Sequence, residues 1–157
     1  MVPEGKGGPE ERHTVRGSRE SGARKVCRYT LEPSASSLFT VREFIRTTLS
    51  PHPTTEPFVN DIVCATHEAC KNAVIHNPET ECPVDVFCEL KDRSVVVEVA
   101  DRGDGFDPVI LPPSPPDPEA LEGRGFYMMY GLMDDVSART NKDGTRIRMQ
   151  KDIGKRA

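Results

Sequence analysis

Glu68 and Asn72 stand one helical turn apart in "HEACKNAVIHN" (67–77), among small apolar residues. Two polar groups that close together on a packed helix are either solvated surface or the working edge of a pocket. A second cluster follows in "VVVEVADRGDGFDP", where a run of strong β-formers ends in Asp101, Gly103 and Gly105. The acid at the strand end can accept two hydrogen bonds, and glycines two apart let a backbone approach a ligand closely. The third is "EGRGFYMMYGLMDD", in which Gly123 and Gly125 precede a helical stretch. The free N–H groups and the positive dipole end of that helix suit an anion. Arg124 adds the only positive charge between Arg102 and Arg139.

Each cluster also has an ordinary reading. A G-x-G pair can be a turn, Gly123 a hinge and the methionines core filler. A dinucleotide fingerprint is excluded, because Pro108 stands where the third glycine belongs and no βα unit follows. A calcium loop is excluded as well, since Gly103 replaces the ligand expected two residues after Asp101.

The elements that must carry these residues are legible from periodicity. "ARKVCRYTLE" alternates as a strand, with Val26, Arg28 and Thr30 against Cys27, Tyr29 and Leu31. Leu38, Val41, Ile45 and Leu49 recur at helical spacing behind a serine cluster that predicts a cap. A second helix is predicted from about 56 to 76, with Phe58, Ile62, Ala65, Ala69 and Ala73 along one stripe and Asn77-Pro78 as its stop. Setting Glu68 at 0° places Asn72 at about 40° and the apolar stripe at roughly 60–140°, which puts the pair on the margin of the buried face. His67 is then expected to point toward solvent, and His76 toward the helix end. "VDVFCELK" and "SVVVEVADR" predict a hairpin turning at Asp92-Arg93, and "VSARTN" with "TRIRMQK" a second one turning at Asp143-Gly144. The "FYMMYGLM" run between them is expected to be mostly core, with an adaptable partner surface on its exposed part as the alternative. Together these predict a two-layer α/β sandwich, a mixed and mostly antiparallel sheet with helices on one face.

Composition bounds the rest. A chain of 157 residues fits one domain. No apolar run approaches the roughly 18–20 residues of a membrane span, and the N-terminus lacks the apolar stretch of a signal peptide, so a cytoplasmic protein away from membranes is expected. Residues 1–25 carry six Lys/Arg and four Asp/Glu, and the remainder 15 basic and 21 acidic residues. A folded body that acidic excludes direct nucleic-acid binding as the main role. Five cysteines without a C-x-x-C pair support neither a disulfide framework nor a zinc ribbon, and Cys64, Cys70 and Cys88 read as buried free thiols. Polar, unpatterned residues 1–22 read as a disordered arm, 23–152 as the folded domain and 153–157 as a tail.

Taken jointly, the clusters resemble the nucleotide-binding boxes of the Bergerat-fold (GHKL) ATPase superfamily. Glu68-x-x-x-Asn72 is similar to the first box, Asp101-x-Gly103-x-Gly105 to the second, Gly123-x-Gly125 to the third and Gly144-Thr145 to the last. Domain length and "LMDDV" look most like the small anti-sigma-factor serine kinases. The resemblance implies ATP and Mg2+ as cofactors, with Asn72 holding the metal and Glu68 acting as catalytic base. It also implies that Asp101 accepts from the adenine amine and that Gly103 and Gly105 make room for the base. Thr145 would assist the adenine contact through water, and Gly123, Arg124 and Gly125 would cap the phosphates. The implied partners are a sigma factor and a STAS-type anti-anti-sigma protein, with homodimers as the working form. An ATP-binding partner-switch module with little kinase activity is the alternative. Two departures bear on it: 107–122 is Pro-rich without Lys or Arg, and Phe126 stands where a smaller aliphatic residue is usual.

Overall fold

A computed structural model describes residues 25–32, 34–75, 83–102, 115, 117–119 and 124–154. The chain runs β1 (Lys25–Leu31), α1 (Ser37–Leu49), α2 (Glu56–Ile75), β2 (Val84–Leu90), β3 (Ser94–Asp101), α3 (Arg124–Leu132), β4 (Asp135–Asn141) and β5 (Gly144–Asp152). The arm 1–22, Gly103, Gly105, Gly123, His76 and most of the Pro-rich stretch lie outside the described residues.

The strands form one sheet in the order β1-β2-β3-β5-β4. Every ladder among the described residues is antiparallel, in keeping with the mostly antiparallel sheet expected. β2–β3 and β4–β5 are tight hairpins, β1 and β2 are joined through α1 and α2, and β3 reaches β5 by way of α3 and β4. Alternation sorts the side chains. Cys27, Cys88, Val97, Met149 and Val136 form one row across the sheet, and Tyr29, Val86, Val99, Ile147 and Ala138 form the next. Both rows face the helices and supply the core. The opposite face carries charge, with Arg28 paired to Asp85 at 2.9 Å and stacked over Phe87, and Arg146 paired to Glu98. Such exposed pairs contribute about 0–1 kcal/mol each, so the face is solubilised by them rather than held together.

α2 lies in the middle of the helical layer. It packs on β2, β3 and β5 below, with α1 on one side and α3 on the other. Its buried residues are Val59, Ile62, Val63, Ala65, Thr66, Ala69, Cys70 and Ala73, a wider arc than the predicted stripe. Flanking helices cover its shoulders as well as its base. Cys64 falls on the solvent ridge with Pro57, Asn60 and Lys71, so it is exposed where a buried thiol was expected. Cys70 and Cys88 are buried, and burial pushes both thiols up to about 12.

The predicted serine cap also differs. Ser36, at the N-cap of α1, already has helical backbone angles and its side chain makes no capping bond. Ser34 instead engages the Ser36 and Ser37 hydroxyls at 3.1 and 2.9 Å. Tyr29 fastens β1 to α1, donating to Thr40 at 2.8 Å and stacking on Phe44 with centroids 5.3 Å apart. Lys151 fastens three elements at the other side. Its ammonium donates to the Leu132 carbonyl at 2.6 Å, pairs with Asp61 at 3.0 Å and sits 5.8 Å from the Phe58 ring. A cation at a helix C-terminus is favoured by the dipole.

The second hairpin turns at Lys142-Asp143, with Gly144 of the Asp143-Gly144 signal already in β5, because Asn141 pairs with Gly144 and its side-chain oxygen accepts from the Asp143 N–H at 2.8 Å. Gly144 has φ +140°, and a Cβ there would lie 2.0 Å from the Asp101 carbonyl oxygen. Gly154 has φ +88° with nothing within 4 Å of an added Cβ. Gly154→Ala is therefore expected to cost only the strain of its backbone, about 1–3 kcal/mol. Gly144→Ala carries strain and a backbone clash, and should lower the urea unfolding midpoint clearly further. Equal losses in the two variants would show that the approach to Asp101 is not what requires glycine at 144.

Candidate functional site

One half of the site is built by helices. Glu68 and Asn72 are both half-buried on the seam of α2, as their angular position predicts. Gly125 opens α3 directly beside them. A Cβ on Gly125 would fall 3.1 Å from Glu68 Oε2 and 3.4 and 3.5 Å from Asn72 Nδ2 and Oδ1. Only a residue without a side chain fits that gap without displacing a neighbour. The first turn of α3, whose N–H groups have no intrahelical acceptor, is thus held against a carboxylate and a carboxamide.

The other half belongs to the sheet. Asp101 closes β3, two residues after Val99, whose side chain is buried under the helices. Period-2 alternation therefore raises the Asp101 carboxylate on the helical side. Its Oδ1 accepts from the Thr145 N–H at 3.2 Å, which fixes the orientation of the acid. Thr145 is buried and its hydroxyl donates to Thr140 Oγ1 at 3.1 Å. Gly144 is what lets β5 start this close to Asp101. Since α2 packs on both β3 and β5, the two halves rise from the same side of the sheet.

Other residues fall elsewhere than expected. Arg124 is exposed and donates to the Pro118 carbonyl at 2.6 Å, so its guanidinium is turned to the Pro-rich stretch. His67 is half-buried with Nδ1 out of water and without a hydrogen-bond partner among the described residues, rather than facing solvent. The "FYMMYGLM" run is not mostly core. Met129 and Met133 are buried, but Tyr127, Met128 and Tyr130 are about two-fifths exposed, on the side of α3 away from its main packing partner α2 among the described residues. Tyr127, Met128 and Leu132 line an open groove of about 720 Å³ with Asp117, Pro118 and Arg124. Thr66 was not singled out from the sequence. It is buried two residues before Glu68, and its hydroxyl lacks a partner among the described residues. A lone hydroxyl inside an alanine and cysteine stripe was the signal for it.

Among the described residues no group of three or more His, Cys, Asp or Glu side chains could hold a metal. The donor on offer is the Asn72 carboxamide oxygen. That suits a magnesium ion that draws its remaining ligands from phosphates and water.

Residues 31–151 match the family model described as the histidine kinase-like ATPase domain. An anti-sigma F factor of Clostridium acetobutylicum is 35% identical over 106 residues, covering 63% of this chain and 73% of the relative. A serine-protein kinase RsbW of Bacillus velezensis is 38% identical over 104 residues, covering 59% of this chain and 64% of the relative. The structure containing RsbU and RsbW domains of a Mycobacterium tuberculosis protein superposes with a TM-score of 0.63 at 23% identity, covering 80% of this chain and 32% of that one. At that identity the likeness speaks for the fold.

The gap at Gly125 gives a direct test. Gly131, also in α3, has nothing within 4 Å of an added Cβ. Gly131→Ala should stabilise the protein by about 0.5–1 kcal/mol through helix propensity. Gly125→Ala should gain nothing or lose stability in the same urea titration, because Glu68 must yield. Equal gains would show that the contact with Glu68 and Asn72 is loose.

Proposed function

The chain belongs to the histidine kinase-like ATPase family, and from that premise we propose that it is an ATP-dependent protein-serine kinase and anti-sigma factor. In this reading it sequesters a sigma factor and phosphorylates a STAS-type anti-anti-sigma partner, acting as a cytoplasmic homodimer. Relatives named anti-sigma F factor and serine-protein kinase support it. The observation that carries it is the meeting of Gly125 with Glu68 and Asn72, which joins residues far apart in sequence around one small cradle.

The residues present fit a magnesium nucleotide. Bound ATP and Mg2+ would supply the phosphoryl group and neutralise the charge developing on it. Asn72 would hold the ion through its amide oxygen. Glu68, one turn away, would orient the partner's serine hydroxyl and take its proton. The N–H groups at the start of α3, with Gly123, Arg124 and Gly125, would cap the phosphates. Asp101, oriented by the Thr145 N–H, would accept from the adenine amine, a donor that guanine lacks there, so the wrong base would forgo that hydrogen bond. Gly103 and Gly105 would clear room for the base, and the Thr145 hydroxyl would reach it through water.

One observation favours a second reading, a nucleotide-binding partner switch with little kinase activity. Arg124 is engaged by the Pro118 carbonyl, and 107–122 supplies no Lys or Arg to replace it.

Incubation with labelled ATP and a STAS-type partner separates the two, since only a kinase leaves a covalent serine phosphate. Glu68→Ala is expected to keep nucleotide affinity and lose transfer; unimpaired phosphorylation would remove Glu68 as the base. Asp101→Asn should abolish ATP binding by calorimetry, and unchanged affinity would refute the adenine assignment.

A further inference from the structure

Cys27 of β1 and Cys88 of β2 are direct partners in the antiparallel ladder. Both belong to the row that faces the helices. Cys88 is fully buried between Val86 and Leu90 on that face, whereas Cys27 is half-exposed. Cys27 lines an open groove of about 630 Å³ between β1 and α1, with Lys25, Tyr29, Phe39 and Phe44. One sulfur is therefore reachable from solvent and the other is reachable only from the first.

The spacing suits a bond. Directly opposed residues in an antiparallel pair have Cα atoms about 4.5–5.5 Å apart, inside the roughly 4.4–6.8 Å that a disulfide spans. Their Cβ atoms lie about 4.5–5.5 Å apart, against about 3.5–4.5 Å in a disulfide. Closing that difference requires one strand to shift by up to about 1 Å. Among the described residues β1 is the outer strand, with a ladder partner on one side only, so a shift there disturbs no second ladder. A bond that pulls the strands together is also more easily reduced, which is the property of regulatory rather than structural disulfides.

We propose that Cys27 and Cys88 form a reversible oxidation site, closed by hydrogen peroxide into a cross-strand disulfide between β1 and β2. The Cys27 thiolate attacks one peroxide oxygen; the S–O bond forms, the O–O bond breaks, and the departing hydroxide takes a proton to become water. Cys27 is then a sulfenic acid. The Cys88 sulfur attacks it, the S–S bond forms, and hydroxide leaves with the Cys88 proton as a second water. Two thiols lose two electrons, and one peroxide becomes two waters. Burial first, then neighbouring Cys27 and Glu89, push the Cys88 thiol up to about 12, with Lys25 opposing. Cys88 therefore stays protonated and does not compete for the peroxide, and its proton leaves only with the hydroxide displaced from the Cys27 sulfenic acid.

Cys64 and Cys70 are placed differently. Cys64 lies on the outer ridge of α2 and Cys70 is buried beneath it, and neither has a cysteine opposite it in a ladder. Exposed Cys64 is the competing target for oxidant.

The test uses the full chain. The protein is titrated with hydrogen peroxide, alkylated without reductant, digested and mapped by mass spectrometry. The expected product is a Cys27–Cys88 linked peptide pair in a chain that still migrates as a single polypeptide on a non-reducing gel, with both thiols lost together and both restored by dithiothreitol. The link should persist in Cys64→Ser. In Cys27→Ser, Cys88 should stay fully alkylatable after denaturation. Cys27 sulfinate beside an intact Cys88 thiol would overturn the proposal, and so would Cys27–Cys27 links between chains. Oxidation confined to Cys64 would overturn it equally.

Discussion

α2 has to serve as the centre of the core and as one wall of the site, and that double demand governs the rest of the molecule. Its sheet-facing side is small, with Ala65, Ala69, Cys70 and Ala73. Short side chains let the helix sit close to β3, so that a carboxylate and a carboxamide on its seam come within reach of neighbouring elements. Larger residues would lift the helix and separate the seam from α3. The absence of a side chain at Gly125 continues the same logic on the facing helix, and Gly144 does so where β5 meets Asp101. Close approach of backbones, more than any strong bond, shapes this region.

Element order, the two hairpins and the span of α2 were legible in the sequence, because each rests on a short-range period or a turn signal. Of the four clusters singled out by type and spacing, Glu68 and Asn72 meet Gly125, and Asp101 meets Gly144 and Thr145, whereas Gly103, Gly105 and Gly123 lie outside the described residues. The sequence did not disclose what lies beside a given face. A hydrophobic stripe reports one direction of burial, whereas α2 is covered from three directions, and this is why His67 came out half-buried. The error at Cys64 has the opposite sign: apolar sequence neighbours at 62, 63 and 65 do not bury a residue that points away from all of them. α3 erred the same way. An apolar composition predicted core, but among the described residues this nine-residue helix packs chiefly against α2 on one side. Arg124 is a third kind of miss. Its charge suggested an anion, while the Pro118 carbonyl that it reaches is invisible to any periodicity.

The sheet's two faces divide the work of stability and solubility. Continuous apolar rows under the helices exclude water, at about 1.5–3 kcal/mol for each fully buried valine or isoleucine side chain. The opposite face relies on crossed charges and long polar chains, which also screen Val96 and Phe87. Neither edge strand resembles the other. β1 is tied to α1 by an aromatic stack, and β4 to the rest through β5 and α3.

The staple at Lys151 has a mechanical meaning for α3. The helix is about 13 Å long at 1.5 Å per residue, and its far end is clamped to α2 and β5 by one ammonium group. At the other end Gly125 fits against Glu68 and Asn72, and Arg124 donates to the Pro118 carbonyl at 2.6 Å. The two tips of this short rod are thus held by different means, one charged group at Leu132 and a close backbone fit at Gly125, and the working end is the one whose seating depends on shape.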